Sequence, residues 1–203
     1  MRRIGVLALQ GAVSEHLSML ERAGVAGAPV RRPLDLEGCD GLIIPGGEST
    51  AISRLIRQNG LFGPIRRFAG ERCVMGTCAG LVLCGTEVSG TGGAMPGETG
   101  ADGEGAATLE PLGIMDIAVS RNGFGRQVDS FEAPLDIKGI GRDVPAVFIR
   151  APYIERAGKG VTVLATCKGK IVAAENRTVL VTAFHPELTD DLRILRYFCS
   201  KMV

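Results

Sequence analysis

A cysteine between two glycines is the feature of this sequence best suited to chemistry. Cys78 is the centre of the pentapeptide at 76–80, Gly-Thr-Cys-Ala-Gly, which directly follows an apolar run at 73–75. This layout is typical of a nucleophile elbow, a sharp strand-to-helix turn so tight that only glycine fits at the flanking positions. A helix that begins at the sulfur stabilises a thiolate, and its first amide can donate to a developing oxyanion.

A cysteine nucleophile also needs a base and a group that orients the base. The chain has only two histidines, and the second, His185, follows an apolar run and is itself followed by Pro186 and Glu187. In an extended segment residues i and i+2 project to the same side, so the Glu187 carboxylate could accept a hydrogen bond from the His185 ring. Pro186 restricts the backbone between them. The sequence therefore predicts a Cys78, His185, Glu187 catalytic triad.

These residues need a scaffold that brings distant segments together, and the chain alternates apolar runs with helical patterns. This alternation predicts an α/β fold with a mainly parallel sheet covered by helices on both faces, in three layers. In such a sheet ligands bind at the carboxyl ends of the strands, where the glycine loop at 45–47, the elbow and His185 all fall. We predict strands at 4–9, 28–31, 41–44, 73–76, 114–120, 127–132, 146–150, 161–167, 170–175 and 179–184, and helices at 13–23, 49–59, from 79, and 189–202.

Composition narrows the class of protein. A chain of 203 residues with 45% hydrophobic content fits a single domain, 1–203, with one core. The net charge of +1 comes without a basic block, so we expect neither nucleic acid nor a membrane as a partner. The six cysteines form no CxxC pair, so neither a metal site nor a disulfide framework is indicated. With no signal peptide or span in view, reduced thiols in the cytoplasm are expected.

Several motifs together carry a family resemblance over essentially the whole chain. The sequence resembles the class I, triad-type glutamine amidotransferases, which have a flavodoxin-like fold, and among them the glutaminase subunits of pyridoxal 5'-phosphate synthase. Besides the elbow, the resemblance rests on five segments in order: GVLALQGAV at 5–13, PGGEST at 45–50, RNGFGRQ at 121–127, FIRAP at 148–152 and FHPELTDD at 184–191.

The resemblance implies roles for further residues. It assigns the oxyanion hole to the amides of Gly47 and Ala79, and the binding of L-glutamine to six residues: Gly47, Glu48, Ser49, Arg121, Ile149 and Arg150. A guanidinium suits a carboxylate because its fork donates two parallel hydrogen bonds. From its place after the first strand, Gln10 could line the pocket or face a partner. A plain strand-to-helix turn with Ser49 as the helix cap also accounts for the glycine loop.

The resemblance further implies the reaction and the partner. The implied reaction is hydrolysis of L-glutamine to L-glutamate and ammonia, with no cofactor and no metal. The ammonia would pass to a (β/α)8-barrel synthase subunit in a large hetero-oligomer that makes pyridoxal 5'-phosphate, so that this compound is the product of the complex.

Two parts of the chain receive other interpretations. The segment at about 89–108 is unusually rich in glycine and departs from the family's shorter connection, so we predict a surface loop. A tolerated insertion accounts for this loop more readily than a lid or a partner-docking segment. His16, beside Glu15 on the first helix, is predicted to face solvent or a partner. Cys39, Cys73 and Cys84 are predicted to belong to the core.

Two alternative functions stay open from the sequence. One is the glutaminase of a different biosynthetic amidotransferase, against which the segments at 121–127 and 185–191 weigh. The other is a catalytically silent glutamine-sensing subunit, or a member of a related elbow-cysteine group of peptidase-like or stress proteins. The intact Cys78, His185 and Glu187 argue against silence, and labelling by an electrophile that mimics glutamine separates these classes.

Overall fold

The computed structural model describes residues 2–90, 109–121 and 130–202. Its strands are β1 Arg3–Leu7, β2 Ala26–Val30, β3 Gly41–Ile44, β4 Cys73–Thr77, β5 Glu87–Ser89, β6 Ile117–Ser120, β7 Ser130–Ile137, β8 Gly141–Ile149, β9 Tyr153–Ala157, β10 Thr162–Cys167, β11 Lys170–Glu175 and β12 Val179–Thr182. Its α-helices are α1 Val13–Arg22, α2 Ser49–Gln58, α3 Phe62–Glu71, α4 Ala79–Cys84 and α5 Arg193–Ser200, and short 3-10 helices cover Pro33–Leu36 and Pro186–Leu188.

Ten of the strands form one central sheet in the order β2-β1-β3-β4-β12-β11-β9-β6-β5, with β10 paired to β11. The five strands from β2 to β12 run parallel. All but the edge strand β2 have near-continuous buried apolar sequences, because helices cover the sheet. The mostly parallel sheet flanked by helices confirms the predicted α/β fold. No helix among the described ranges is long and apolar enough to cross a bilayer.

The other side of the sheet is largely antiparallel. There β12, β11, β9 and β6 pair in antiparallel fashion, and only β5 and β6 run parallel. A separate two-stranded hairpin, β7 with β8, carries Pro134 opposite Pro145. Proline has no N–H to donate to the neighbouring strand and therefore weakens a strand pattern in the sequence. The predicted strands at 127–132 and 146–150 stop short of these two prolines.

Some elements differ from the sequence predictions. The sequence pattern missed α3 because Gly63, Pro64 and Gly70 weaken its helical signal, although Ile65 and Ala69 bury one face of it. It also missed β5 and β9. The closing helix is α5 alone, shorter than the predicted 189–202. Of the predicted glycine-rich loop only residues 89 and 90 are described, and 91–108 lie outside the described residues.

Candidate active site

Three adjacent parallel strands end at one edge of the sheet, and each leads into a predicted functional segment. β3 runs into the glycine loop at 45–47, β4 into Cys78, and β12 into His185. The pairing of Ile44 with Gly76, and of Thr77 with Thr182, aligns these ends. Segments separated by about 100 residues in the chain therefore meet at the carboxyl edge, as expected for an open α/β sheet.

The elbow at Cys78 is strained and tightly packed. Cys78 has φ of 49° and ψ of −104°, a conformation that L residues rarely adopt, and its amide donates to the Thr182 carbonyl at 2.8 Å. A Cβ added at Gly80 would lie 2.0 Å from the Ile44 carbonyl oxygen, and one at Gly76 would lie 2.7 Å from Gly80. Both glycines are therefore required for α4 to start at the sulfur, as the elbow interpretation predicts.

His185 and Glu187 form a short hydrogen bond. The Nδ1 atom of His185 lies 2.6 Å from Oε1 of Glu187, and both side chains are almost fully buried. The predicted contact is present, but the backbone between them is not extended: Pro186–Leu188 forms a 3-10 turn that begins after His185. Because Nδ1 is engaged by the carboxylate, Nε2 is the ring nitrogen available to the thiol of Cys78.

The electrostatics of this group favour a charged imidazole. Burial alone would lower the pKa of His185, but hydrogen bonding to Cys78 and Glu187, together with their negative charge, raises it to about 10. Burial raises the pKa of the Glu187 carboxyl, yet the hydrogen bond from His185 and the proximity of His16 outweigh this and hold it below its ordinary value. An imidazolium beside the sulfur stabilises a thiolate, which is the nucleophilic form of cysteine.

Gly46 leaves the space in which the cysteine and the histidine approach each other. A Cβ at this position would lie 2.5 Å from Cε1 of His185 and 3.3 Å from Cβ of Cys78. The first glycine of the loop is therefore a steric requirement of the site, one that the sequence analysis did not assign.

The rest of the glycine loop is held from both sides. Oε1 of Gln10 accepts a hydrogen bond from the Glu48 amide at 2.9 Å and lies where a side chain on Gly47 would have to go. The Glu48 carboxylate accepts from the amides of Thr50 and Ala51, so Glu48 caps α2 and the predicted Ser49 cap is wrong. No described residue accepts a hydrogen bond from the Gly47 amide. Gln10 thus fixes the loop that carries this amide.

A cavity of about 420 Å³ brings the predicted residues together. Glu187 alone among them is not part of its wall, because it lies behind His185. The lining residues are Gln10, Gly47, Glu48, Ser49, Cys78, Ala79, Val82, Arg121, Ile149, Arg150, Pro152 and His185. Within the described ranges, no group of three or more His, Cys, Asp or Glu side chains is arranged to hold a metal ion.

Charge is distributed unevenly around this cavity. The Arg121 guanidinium donates to Oε1 of Glu48 at 3.2 Å, so one cation and one anion stand side by side at the wall. Arg150 adds a second cation from a left-handed backbone conformation with φ of 42°. The Ile149 carbonyl lies 4.0 Å from the sulfur of Cys78. Residues 122–127 of the predicted motif lie outside the described residues.

The prediction that His16 faces solvent or a partner is wrong. Its side chain is fully buried, with Nε2 3.0 Å from Oγ1 of Thr77 and 3.5 Å from Oε2 of Glu187. The signal was present in the helical spacing, since Val13, His16 and Leu20 share one face of α1 and that face packs inward. Val82, one turn after the elbow, and Pro152 are further lining residues that were not assigned.

An elbow cysteine, a histidine held by a carboxylate and free backbone amides around one cavity can together perform acyl transfer through a thioester. This combination of fold and site is typical of hydrolases that use a cysteine nucleophile on an open α/β sheet. The chain belongs to the SNO glutamine amidotransferase family, whose model matches residues 6–203.

Individual relatives are similar over the full length. The chain is 48% identical over 205 residues to the pyridoxal 5'-phosphate synthase subunit PdxT of Listeria monocytogenes serotype 4b, covering 100% of both chains. It is 49% identical over 200 residues to PdxT of Geobacillus kaustophilus, covering 98% of this chain and 93% of the relative.

Two solved structures are similar to this chain over nearly its full length. A crystal structure of a glutamine amidotransferase superposes with a TM-score of 0.86 at 40% identity, covering 98% of both chains. The structure of PurLQS from Thermotoga maritima has a TM-score of 0.67 at 14% identity, over 100% of this chain and 99% of that chain, and it supports the fold alone.

Proposed function

We propose that this chain hydrolyses L-glutamine to L-glutamate and ammonia, and supplies the ammonia for pyridoxal 5'-phosphate biosynthesis. The observation that carries the proposal is the contact of 2.6 Å between His185 and Glu187, next to a strained elbow cysteine at the end of the neighbouring strand. Full-length relatives named PdxT, subunits of pyridoxal 5'-phosphate synthase, support the same reaction.

The first half of the reaction forms a thioester. The Cys78 thiolate attacks the side-chain amide carbon of glutamine, and the amides of Gly47 and Ala79 donate to the oxyanion. The Ala79 amide is suited to this because the first amides of a helix have no intrahelical acceptor. His185 then gives its Nε2 proton to the departing nitrogen, so ammonia leaves and a glutamyl thioester remains on Cys78.

The second half returns the enzyme to its starting state. His185, now neutral, takes a proton from water, and the resulting hydroxide attacks the thioester carbon. Collapse of the second tetrahedral intermediate breaks the carbon–sulfur bond and leaves the thiolate beside a protonated His185. The γ-carboxylic acid that forms loses its proton to water and departs as glutamate. Glu187 holds the ring through Nδ1 in both halves and stabilises the imidazolium each time it forms.

The charged wall of the cavity suits the amino acid end of glutamine. Arg121 and Arg150 offer guanidinium groups to the α-carboxylate, and the Glu48 carboxylate, with its side chain about half exposed, offers an acceptor to the α-ammonium. Gly47, Ser49 and Ile149 complete the contacts through the backbone and the pocket wall. In this assignment the ion pair between Arg121 and Glu48 is the complement of a zwitterion.

We further propose a partner subunit and a cytoplasmic location for this chain. Ammonia is largely protonated at neutral pH and then is no nucleophile, so the product is best passed on inside a complex. The partner would be a (β/α)8-barrel synthase subunit in a large hetero-oligomer. Ile149, which lines the cavity and is 38% exposed, is an apolar side chain that such a partner would cover. Six free cysteines suit a reducing cytoplasm. The chain would act as one glutaminase domain without a cofactor, pyridoxal 5'-phosphate being the product of the complex.

The proposal is tested by glutamate release from glutamine, measured for the purified chain alone and with the barrel synthase subunit from the same source. We expect release that the partner stimulates and that Cys78→Ala abolishes. A matched control is Cys84→Ala, because Cys84 lies on the same helix but is buried away from the cavity. We expect this variant to keep its turnover.

Covalent labelling with a glutamine-mimicking electrophile separates the alternatives. Labelling at Cys78 that glutamine protects against, without stimulation by the barrel subunit, would assign the glutaminase to a different amidotransferase. Absence of both labelling and release in every combination would leave a silent subunit and overturn the proposed reaction.

A further inference from the structure

Glu187 has a second neighbour that the proposed reaction does not use. Its Oε1 atom serves His185, while its Oε2 atom faces Nε2 of His16 at 3.5 Å. His16 reaches this place from α1, which packs against the 3-10 turn Pro186–Leu188 that carries Glu187. The carboxylate thus lies between two imidazole rings that come from segments about 170 residues apart.

The hydrogen bonding of this buried group fixes the tautomer of His16. Among the described residues, Oε2 of Glu187 and Nδ1 of His16 are buried polar atoms that lack a close hydrogen-bond partner. If Nδ1 carried the proton, a buried donor would be unsatisfied and the lone pair of Nε2 would face the carboxylate. With the proton on Nε2, His16 donates toward Oγ1 of Thr77 at 3.0 Å and toward Oε2 of Glu187.

We propose that His16 is a positioning residue for the catalytic carboxylate, so that the proposed triad is extended to a chain from Cys78 through His185 and Glu187 to His16 and Thr77. Nε2 of His16 lies 3.5 Å from Oε2, on the side of the carboxylate away from the contact with His185 through Oε1. By donating toward that oxygen at 3.5 Å, His16 favours the rotation of the carboxylate at which Oε1 meets Nδ1 of His185. The inference rests on the proposed glutaminase reaction.

Burial gives this role a direction in pH. Burial lowers the pKa of His16, more than the charge of Glu187 raises it, so the ring is neutral at working pH and acts as a donor without adding a charge. The titratable groups that act on Glu187 are His185 on its own segment and His16 on α1, and β4 contributes only the Thr77 hydroxyl. Removal of His16 leaves His185 as the main neighbour that opposes the effect of burial on the pKa of Glu187.

The test compares His16→Leu with His16→Gln in the complex with the synthase subunit. We expect His16→Leu to lower kcat about 10- to 100-fold, by analogy with the loss found when the outer hydrogen-bond partners of metal-ligating side chains are removed, with KM within about twofold. The acidic limb of the kcat/KM profile should move to higher pH, because Glu187 must be ionised to support His185. The glutamine amide in His16→Gln can donate from a similar position. This variant should therefore keep most of the wild-type kcat, and its acidic limb should lie near the wild-type pH.

A matched variant separates positioning from general destabilisation. Leu20→Ala is this variant. Leu20 lies on the same helix as His16 and is also fully buried, but its side chain packs against Gly27 of β2. It should lower the unfolding midpoint while leaving kcat and the acidic limb unchanged. If His16→Leu is too unstable to assay, Thr77→Val, which removes only the hydroxyl, should reduce kcat in the same direction.

The outcomes are distinct from those of the proposed function. If the wild-type complex releases glutamate and His16→Leu has the same kcat and pH profile, the positioning role alone is overturned. A loss in His16→Leu that His16→Gln does not restore, with an unmoved acidic limb, would also overturn it and leave a packing role. Wild-type complex that releases no glutamate would overturn the proposed function itself.

Discussion

The two histidines of this chain have opposite electrostatic surroundings although both adjoin the same carboxylate. His185 borders the cavity, where the thiol and Glu187 outweigh burial and favour its charged form. His16 lies deeper, where burial outweighs the same carboxylate and favours the neutral form. The charged form of His185 suits the proton transfer proposed for it, and the neutral form of His16 suits the proposed role of an uncharged hydrogen-bond donor.

With only two histidines, their titration can be followed residue by residue. We expect imidazole NMR signals of His185 to titrate near pH 10 and those of His16 below 6.5. Cys78→Ala and Glu187→Gln should each lower the midpoint of His185, because each removes a group that raises its pKa. His16→Gln removes one set of signals and so assigns both. A midpoint for His185 at or below 6.5 would contradict the charged state assigned to it.

The same shifts determine how stability depends on pH. The pKa of folded His185 is raised above its ordinary value, so its contribution is complete below about pH 6.5 and is lost as pH rises through about 10. Glu187 acts in the opposite direction: its contribution is present above its ordinary pKa of 4.5 and is lost as pH falls through the lowered value. Both contributions are therefore present together between about pH 4.5 and 6.5.

At the scale of elements, the β7–β8 hairpin holds one wall of the cavity. β8 ends at Ile149, beside the sulfur, and its Val147 carbonyl accepts from the His185 amide at 2.9 Å. The Phe148 ring stacks on Phe131 at 4.5 Å and meets the edge of Phe184 at 5.5 Å. The hairpin is not part of the central sheet, so these contacts determine where Ile149 and Arg150 stand.

We expect Phe148→Leu to raise KM for glutamine several-fold, since a looser hairpin displaces Ile149 and Arg150. The unfolding free energy should fall by about 1–3 kcal/mol, the usual range for a conservative change in a core. Phe198→Leu is the matched control: Phe198 is equally buried but belongs to α5, over Gly41 at the opposite end of β3. Steady-state kinetics and urea unfolding measure both. A KM increase that is equal in the two variants would argue against a local effect.

The sequence predicts best what depends on neighbours along the chain. Gly76 and Gly80 beside Cys78, and Glu187 two positions after His185, carry their geometry locally, so the elbow and the histidine–carboxylate contact could be predicted. The helical spacing on α1 signals that His16 faces inward. Its position beside Glu187 could not be predicted, because that depends on which helix covers the turn after β12. The full lengths of β7 and β8 could not be predicted either. Pro134 and Pro145 weaken the strand pattern in the sequence, and each strand is stabilised by pairing with the other.

At the scale of the whole molecule, the six thiols are unequally prepared to react. All are free, and burial raises the pKa of Cys39, Cys73 and Cys199 and brings that of Cys84 to about 12. Cys78 alone among the six lines the cavity and adjoins an imidazole. The fold therefore concentrates thiol reactivity at one position.

A brief treatment with iodoacetamide at neutral pH should alkylate Cys78 first. Mass spectrometry of the digested protein gives the rate at each cysteine. His185→Gln should slow the reaction at Cys78 and leave Cys199, the most exposed of the other five, unchanged. Faster alkylation of Cys199 than of Cys78 in the wild-type protein would show that exposure, and not the site, controls reactivity.

The pairing of β4 with β12 also bears on the time at which the enzyme becomes competent during synthesis. Val74 and Val179 are register partners, yet 105 positions separate them in the chain. While a ribosome is still making the intervening segments, Cys78 has emerged after β4, but His185, Glu187 and the complete cavity wall have not. A truncated nascent product would thus contain the nucleophile but not the machinery that activates it, and glutamine in the cell would be protected from wasteful hydrolysis by incomplete chains.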